Sequence, residues 1–234
     1  MTSITDASSP NRDSREASPD MAVLHYTGME SGEAALARLC DPSSKVSAHY
    51  VVEEGGQVFR LVPEESRAWH AGVSRWAGRD ALNECSIGIE IVNPGHEHGY
   101  RSFPEAQMAA VEALLAGILR RWAIPPERVV GHSDIAPTRK DDPGELFDWR
   151  RLARARLAIW PDAADEGEAG RLLDPEGVVT LSEAMGGAGY DLRDFPAALK
   201  AFRRRFRPLA LTGPPVMRDL LIAREIAARW PARA

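Results

Sequence analysis

Val111, Leu114, Leu115, Ile118, Leu119 and Trp122 recur at steps of three and four residues, so they form one stripe along a helix. Just ahead of them, Ser102-Phe103-Pro104-Glu105 has the Ser-x-x-Glu spacing of a capping box with a proline in the first turn, which predicts where the helix begins. A helix of this length with a single apolar face needs an apolar surface of matching length to cover. The stripe is therefore core, packed against a sheet, and not a cofactor box.

The strands of that sheet are legible on either side. Ala22-Val23-Leu24-His25-Tyr26 is a short buried strand ending on a polar pair. Ala48–Val52 and Gln57–Val62 flank Glu53-Glu54-Gly55-Gly56 and predict a hairpin. Ser86–Val92 alternates, placing Gly88, Glu90 and Val92 on one face and Ile87, Ile89 and Ile91 on the other. A strand over Arg128–Gly131 follows the long helix, and a helix is expected from about Phe147 to Leu157. Ser31 is placed to cap a helix running to Cys40. Strands interleaved with helices predict an α/β fold, a mixed central sheet flanked by helices.

Beyond Trp160-Pro161, residues 162–177 are acidic and rich in Ala and Gly and are expected to be a linker. Residues 178–234 then predict a small domain of three helices: one capped by Thr180-Leu181-Ser182-Glu183, one opened by Asp194-Phe195-Pro196 and carrying Leu199, Phe202 and Phe206, and one opened by Pro214-Pro215 and carrying Leu220, Leu221, Ile226 and Trp230. Residues 1–20 are rich in Ser, Asp, Arg and Pro and are expected to be a disordered arm, leaving residues 21–161 as the principal domain. That arm has neither the basic start nor the apolar core of a secretory signal, so the expected compartment is the cytoplasm, with Cys40 and Cys85 as free thiols. A net charge of −5 disfavours a general nucleic-acid binder, and no stretch is apolar enough for a membrane span.

The chemistry concentrates in Gly131–Gly144, where a histidine, three aspartates, a lysine and an arginine share one proline-stiffened loop. A catalytic zinc site needs three nitrogen or oxygen ligands and one open position. His25 and His132 each end a strand, and Asp142 lies ten positions beyond His132. If those strands are near neighbours, the three side chains can meet on one ion. Glu90, an acid in an otherwise apolar run, is placed to act as general base and then acid, unless it is an edge-strand residue facing water. Lys140 can point at the same centre and stabilise an oxyanion. His49, inside a strand, is expected to be a satisfied core residue or to support a ligand from behind. Trp69 and His70, in a glycine-containing loop, are candidates for lining a substrate groove. His96 and His98 are expected to face solvent, with Asp134 orienting His132 or capping a turn and Asp141 a solvated neighbour of the ligand.

His25 in Val-Leu-His-Tyr-Thr, Ser47-Ala48-His49-Tyr50-Val51-Val52, Ala68-Trp69-His70-Ala71-Gly72, Ser86-Ile87-Gly88-Ile89-Glu90 and Gly131–Pro137 with Lys140–Gly144 occur in the order of successive motifs of a known family. Over residues 22–160 the chain resembles the AmpD-like, zinc-dependent N-acetylmuramoyl-L-alanine amidases, relatives of phage lysozyme-type amidases and of peptidoglycan recognition proteins. The resemblance implies zinc held by His25, His132 and Asp142, Glu90 as acid/base and Lys140 as transition-state stabiliser. It implies hydrolysis of the amide between the lactyl group of N-acetylmuramic acid and L-alanine, in muropeptide or peptidoglycan fragments. The 1,6-anhydro form, met during peptidoglycan recycling, is the expected substrate. Remodelling of intact peptidoglycan in the envelope is the alternative, and peptidoglycan binding without catalysis a further one. Gly189-Tyr190-Asp191 and Ala201–Phe206 are similar to the peptidoglycan-binding-like helical domain attached to some of these amidases.

Overall fold

The apolar stripe is buried as expected apart from Trp122, which is half-buried, and it covers a mixed sheet. The computed structural model describes residues 4–165 and 170–232. In chain order the strands are β1 (Ile4–Asp6), β2 (Arg12–Ser14), β3 (Met21–Tyr26), β4 (Tyr50–Val52), β5 (Val58–Arg60), β6 (Ser66–Ala68), β7 (Arg75–Trp76), β8 (Arg79–Asp80), β9 (Ser86–Ile91) and β10 (Val129–Gly131). The helices are α1 (Gly32–Cys40), α2 (Glu105–Trp122), α3 (His132–Ile135), α4 (Trp149–Arg154), α5 (Pro175–Gly187), α6 (Phe195–Phe206) and α7 (Met217–Arg229). The main sheet has the order β1-β5-β4-β9-β3-β10. Only the β4–β5 hairpin is antiparallel in it; β9, β3 and β10 run parallel side by side. None of the described helices is long and apolar enough to cross a membrane.

The two faces of the sheet are covered by different parts of the chain. Ile87, Ile89 and Ile91 of β9 pack with Val111, Leu115 and Ile118 of α2 and with Leu152 of α4, all fully buried. Each such isoleucine contributes about 1.5–3 kcal/mol from burial. The opposite face presents Met21, Val23 and Val130, which join one continuous core with Leu181 and Met185 of α5, Phe202 and Phe206 of α6, and Ile222 and Ile226 of α7. At the other end of that face Val51 packs with Leu39 of α1. Beside Ala35, Arg38 and Leu39 of α1 a groove lies over His25 of β3, Glu90 of β9 and His132, which follows β10.

Several expectations are corrected. Residues 4–20 are not a disordered arm. β1 pairs with β5 and β2 with β6, Ser9 and Asn11 are buried, and the Arg15 guanidinium donates to the carbonyls of Glu84, Ser66 and Ser86. Backbone pairing at a sheet edge asks little of side-chain polarity, so a polar composition does not preclude it. The first three residues of the expected arm, and 166–169 of the expected linker, lie outside the described residues. The rest of that linker is structured: the Asp162 and Ala163 N–H groups donate to Glu225, Leu172 bridges Val216, and α5 begins at Pro175 under an Asp174 cap. Thr180 therefore sits inside α5, its hydroxyl donating to the Glu176 carbonyl.

The capping box at Ser102 does not form either. Pro104, at ψ 151°, is itself the residue before the helix and makes no side-chain cap. Proline holds the preceding residue extended, which stops the helix from starting any earlier. Ser31, Asp148 and Asp194, by contrast, cap α1, α4 and α6 through their side chains. Leu221, expected in the core stripe of α7, is 43% exposed, while Leu220 beside it is buried. Both cysteines are free, Cys85 buried and Cys40 half-buried.

Candidate metal centre

Parallel register brings the predicted ligands together. Leu24 of β3 pairs with Gly131 of β10, so the next residue on each strand, His25 and His132, emerges at the same level. On the other flank of β3, His25 pairs with Glu90 of β9, and register-paired neighbours in a sheet share a face. Asp142 returns to this point through the loop after α3, held there by the Ser133 N–H donating to the Asp142 carbonyl at 2.8 Å. The arrangement follows a general rule of parallel sheets, whose sites form beyond the carboxyl ends of the strands.

The three donor atoms lie close together. His25 Nδ1 and His132 Nδ1 are 2.8 Å apart, and Asp142 Oδ2 is 3.1 Å from the first and 3.0 Å from the second. All three residues are buried. Among the described residues this is the one group of histidine, cysteine and carboxylate donors close enough to share a metal ion. Donors about 2 Å from one tetrahedral zinc stand about 3.3 Å from each other, so the observed triangle fits such an ion with little adjustment.

Electrostatics favour the ligand-ready protonation states. Burial, reinforced by the His132 ring, pushes His25 down to about 4, so it is neutral near pH 7. Burial alone would raise the Asp142 carboxyl, but the adjacent His132 and His25 outweigh it and hold it well below the usual carboxylate range. A neutral imidazole and an ionised carboxylate are the forms that bind zinc.

Glu90 stands beside the centre with its Oε2 buried and without a hydrogen-bond partner. Burial pushes this carboxyl well above its ordinary range; the Asp142 charge adds to the shift and Lys140 partly opposes it. An unsatisfied buried oxygen is costly and is tolerated where a reacting group will meet it. Lys140 is half-buried and lines the same groove, which has a volume of about 370 Å³ and is walled by Tyr26, Thr27, Arg38, Trp69, His96 and Arg139. A second cavity of about 270 Å³, lined by Trp76, Tyr190, Phe206 and Trp230, has no comparable set of donors.

The remaining predicted residues divide clearly. Trp69 lines the groove, its indole N–H donating to Asp13 at 2.6 Å. His70 lines it too, at its floor: it is 8% exposed, and its ring nitrogens lie 3.0 Å from His25 Nε2 and 3.2 Å from the Ser86 hydroxyl. Burial lowers its pKa well below the usual histidine value. His49 is fully buried away from the three donors, its Nδ1 accepting from the Gly88 N–H and its Nε2 3.1 Å from the Ser66 carbonyl. His96 and His98 are exposed, and His96 contacts the Tyr26 hydroxyl and Glu145.

Asp134 does cap a turn, accepting from the Gly131 N–H, and it also accepts from the Tyr190 hydroxyl and the Arg205 guanidinium. Asp141 is more than a solvated neighbour, because Arg204 of α6 pairs with it. Sequence reasoning missed these arginines, and Asn83, whose Oδ1 accepts the N–H groups of both His70 and Ala71. Arginines on an amphipathic helix carry no mark of what they will meet, so no local signal identified them.

The chain matches the sequence profile of the N-acetylmuramoyl-L-alanine amidase family over residues 15–145. It is 37% identical over 229 residues to N-acetylmuramoyl-L-alanine amidase AmiD of Escherichia coli K12, covering 89% of this chain and 82% of AmiD. It is 32% identical over 177 residues to the 1,6-anhydro-N-acetylmuramyl-L-alanine amidase AmpD of Citrobacter freundii, covering 68% of this chain and 91% of AmpD. The structure of E. coli AmiD with its substrate anhydro-N-acetylmuramic acid-L-Ala-D-γ-Glu-L-Lys superposes with a TM-score of 0.81 at 34% identity, covering 94% of this chain and 93% of AmiD. Pseudomonas aeruginosa AmpDh3 in complex with anhydromuramic pentapeptide gives 0.80 at 33% identity, covering 92% of this chain and 94% of AmpDh3.

Proposed function

The chain belongs to the N-acetylmuramoyl-L-alanine amidase family, and from that premise we propose how this chain performs the reaction: zinc held by His25, His132 and Asp142, Glu90 as acid/base and Lys140 as oxyanion partner. The observation that carries the assignment is the triangle of buried donor atoms 2.8–3.1 Å apart beside an unpartnered Glu90 oxygen. Zinc bound there supplies Lewis acidity, which lowers the pKa of water toward about 7 and polarises a carbonyl.

The protein's own groups do the rest. Glu90 accepts a proton from the attacking water and delivers it to the departing amine of L-alanine, a transfer suited to a carboxyl whose pKa is raised. The Lys140 ammonium stands in the groove to offset negative charge on the carbonyl oxygen as the tetrahedral centre forms. The products are the lactyl carboxylate of N-acetylmuramic acid and the free amine of the stem peptide. Trp69 and the groove walls hold the muropeptide.

The preferred substrate in this reading is the 1,6-anhydro form, supported by the anhydromuramic ligands bound to AmiD and AmpDh3. Such soluble fragments favour a role in recycling, in the cytoplasm. The peptidoglycan-binding-like reading of residues 178–234 belongs to the same proposal. Product analysis with an anhydro-muropeptide, its reducing counterpart and intact sacculi, with and without a chelator, tests it. The expected result is chelator-sensitive release of the stem peptide, fastest from the anhydro form. Activity on sacculi alone would instead favour wall remodelling, and unchanged cleavage by Glu90→Ala would overturn the mechanism. Retention of Glu90→Ala on sacculi would support the reading of the C-terminal helices.

A further inference from the structure

The loop Trp69–Gly72 lies behind both histidine ligands and meets the ring nitrogen of each that faces away from the metal position. His25 Nε2 is 3.0 Å from His70 Nδ1, and His132 Nε2 is 3.2 Å from the Ala71 carbonyl. A carbonyl only accepts, so the Nε2–H tautomer of His132, the one that leaves Nδ1 able to bind a metal, has its partner in Ala71.

The tautomer of His25 follows from a longer chain. The Ser86 hydroxyl donates to the Leu82 carbonyl at 2.5 Å, so the Ser86 oxygen is left to accept. His70 Nε2, 3.2 Å away, is then the donor to that oxygen. A neutral imidazole has one N–H, which leaves His70 Nδ1 as an acceptor. It takes the proton offered by His25 Nε2, which leaves His25 Nδ1 as the nitrogen turned to the metal position.

We infer that His70 is a positioning residue that fixes His25 in the Nε2–H tautomer and aims its Nδ1 at the metal. This rests on the zinc reading above. The neighbouring sequence is built for the task. Ser86, Gly88 and Glu90 alternate along the same face of β9, and a Cβ on Gly88 would lie 2.3 Å from the His70 ring. The strand thus offers, in turn, an anchor for the ring, a space for it and the acid of the reaction. Asn83 accepts from the N–H groups of His70 and Ala71 at 3.0 and 2.7 Å and fixes the loop that carries both partners.

Groups that orient metal-binding histidines are worth about 10–100-fold in metal affinity. The test compares the full-length protein with His70→Leu, which removes the acceptor, and His70→Asn, whose Oδ1 can stand near the position of Nδ1. Zinc affinity is read by competition with a chromophoric chelator, and the His25 tautomer by ring-nitrogen NMR of the metal-free protein. His70→Leu is expected to weaken zinc binding about 10–100-fold and to mix the His25 tautomers, with His70→Asn restoring much of both. Unchanged zinc affinity together with an unchanged His25 tautomer in His70→Leu would overturn the inference. If His70→Leu does not fold, Ser86→Ala replaces it: the ring stays but loses its anchor, and mixed His25 tautomers are expected, an unaltered one overturning the proposal. Failure of the wild type to bind zinc would defeat the metal assignment instead, and the metal-free NMR separates the two outcomes.

Discussion

His25 and Glu90 are register partners across the β3–β9 ladder, so the proposed ligand and the proposed acid/base are held by adjacent parallel strands rather than by loops. Sites built on strands are positioned more exactly than sites on loops, and proton transfer depends on that placement. Glu90→Gln keeps the shape of the side chain and removes the basic oxygen. It is expected to lower kcat by about 10²–10⁴-fold while leaving zinc content intact, measured by muropeptide turnover alongside metal analysis.

Asp142 supplies the single formal negative charge among the three donors. Asp142→Asn removes that charge and is expected to release the metal at zinc concentrations that saturate the wild type. Activity should be lost in parallel, whereas chelated wild-type protein should recover fully on adding zinc back.

Stability toward acid depends on Glu64. This buried carboxylate accepts from the Tyr50 hydroxyl at 2.7 Å, the Arg121 guanidinium at 3.0 Å and the Trp122 indole at 2.5 Å. Burial raises its pKa, but these donors outweigh burial and the net shift is downward. A folded-state pKa below the unfolded one contributes stability above the unfolded value, about 4.3, and loses it as pH falls through the folded value. Glu64→Gln should therefore be less stable than wild type at pH 7 by about 1–3 kcal/mol. The gap should close as the pH drops below about 4, as read from denaturant midpoints across pH.

Arg205 and Asp134 form a buried pair, each side chain no more than 3% exposed, that joins α6 to the turn carrying His132. Arg205 also lies over the Trp149 ring, 4.2 Å from its centre. Arg205→Ala leaves the Asp134 carboxylate uncompensated and should cost about 3–5 kcal/mol, lowering Tm by about 10 °C or more. Arg204→Ala should cost less, because the Asp141 side chain is 47% exposed, and differential scanning fluorimetry ranks the two.

Much of this was legible in the chain. The period of the α2 stripe and the alternation in β9 report which positions are buried, and Glu90 stands out because it breaks an apolar run. Ser31 and Asp194 cap helices where short-range chemistry says they should. Less visible were β1 and β2, whose Ile4-Thr5-Asp6 and Arg12-Asp13-Ser14 pair through backbone groups that composition does not record. His70 does border the groove, but its loop context gives no hint that Ser86 and His25 occupy both of its ring nitrogens.

By itself the sequence determined most of the elements, the apolar faces and the candidate metal donors, because periodicity and motif spacing are local properties. Only the tertiary structure decided that β9, β3 and β10 lie parallel and adjacent, which brings His25, Glu90 and His132 to one level. It also decided that α5–α7 cover the sheet face bearing Met21, Val23 and Val130 rather than forming a detached unit. An apolar face requires burial but does not specify its partner, and a donor does not specify the acceptor that will reach it. Those choices are settled by packing across long sequence separations, which no local pattern encodes.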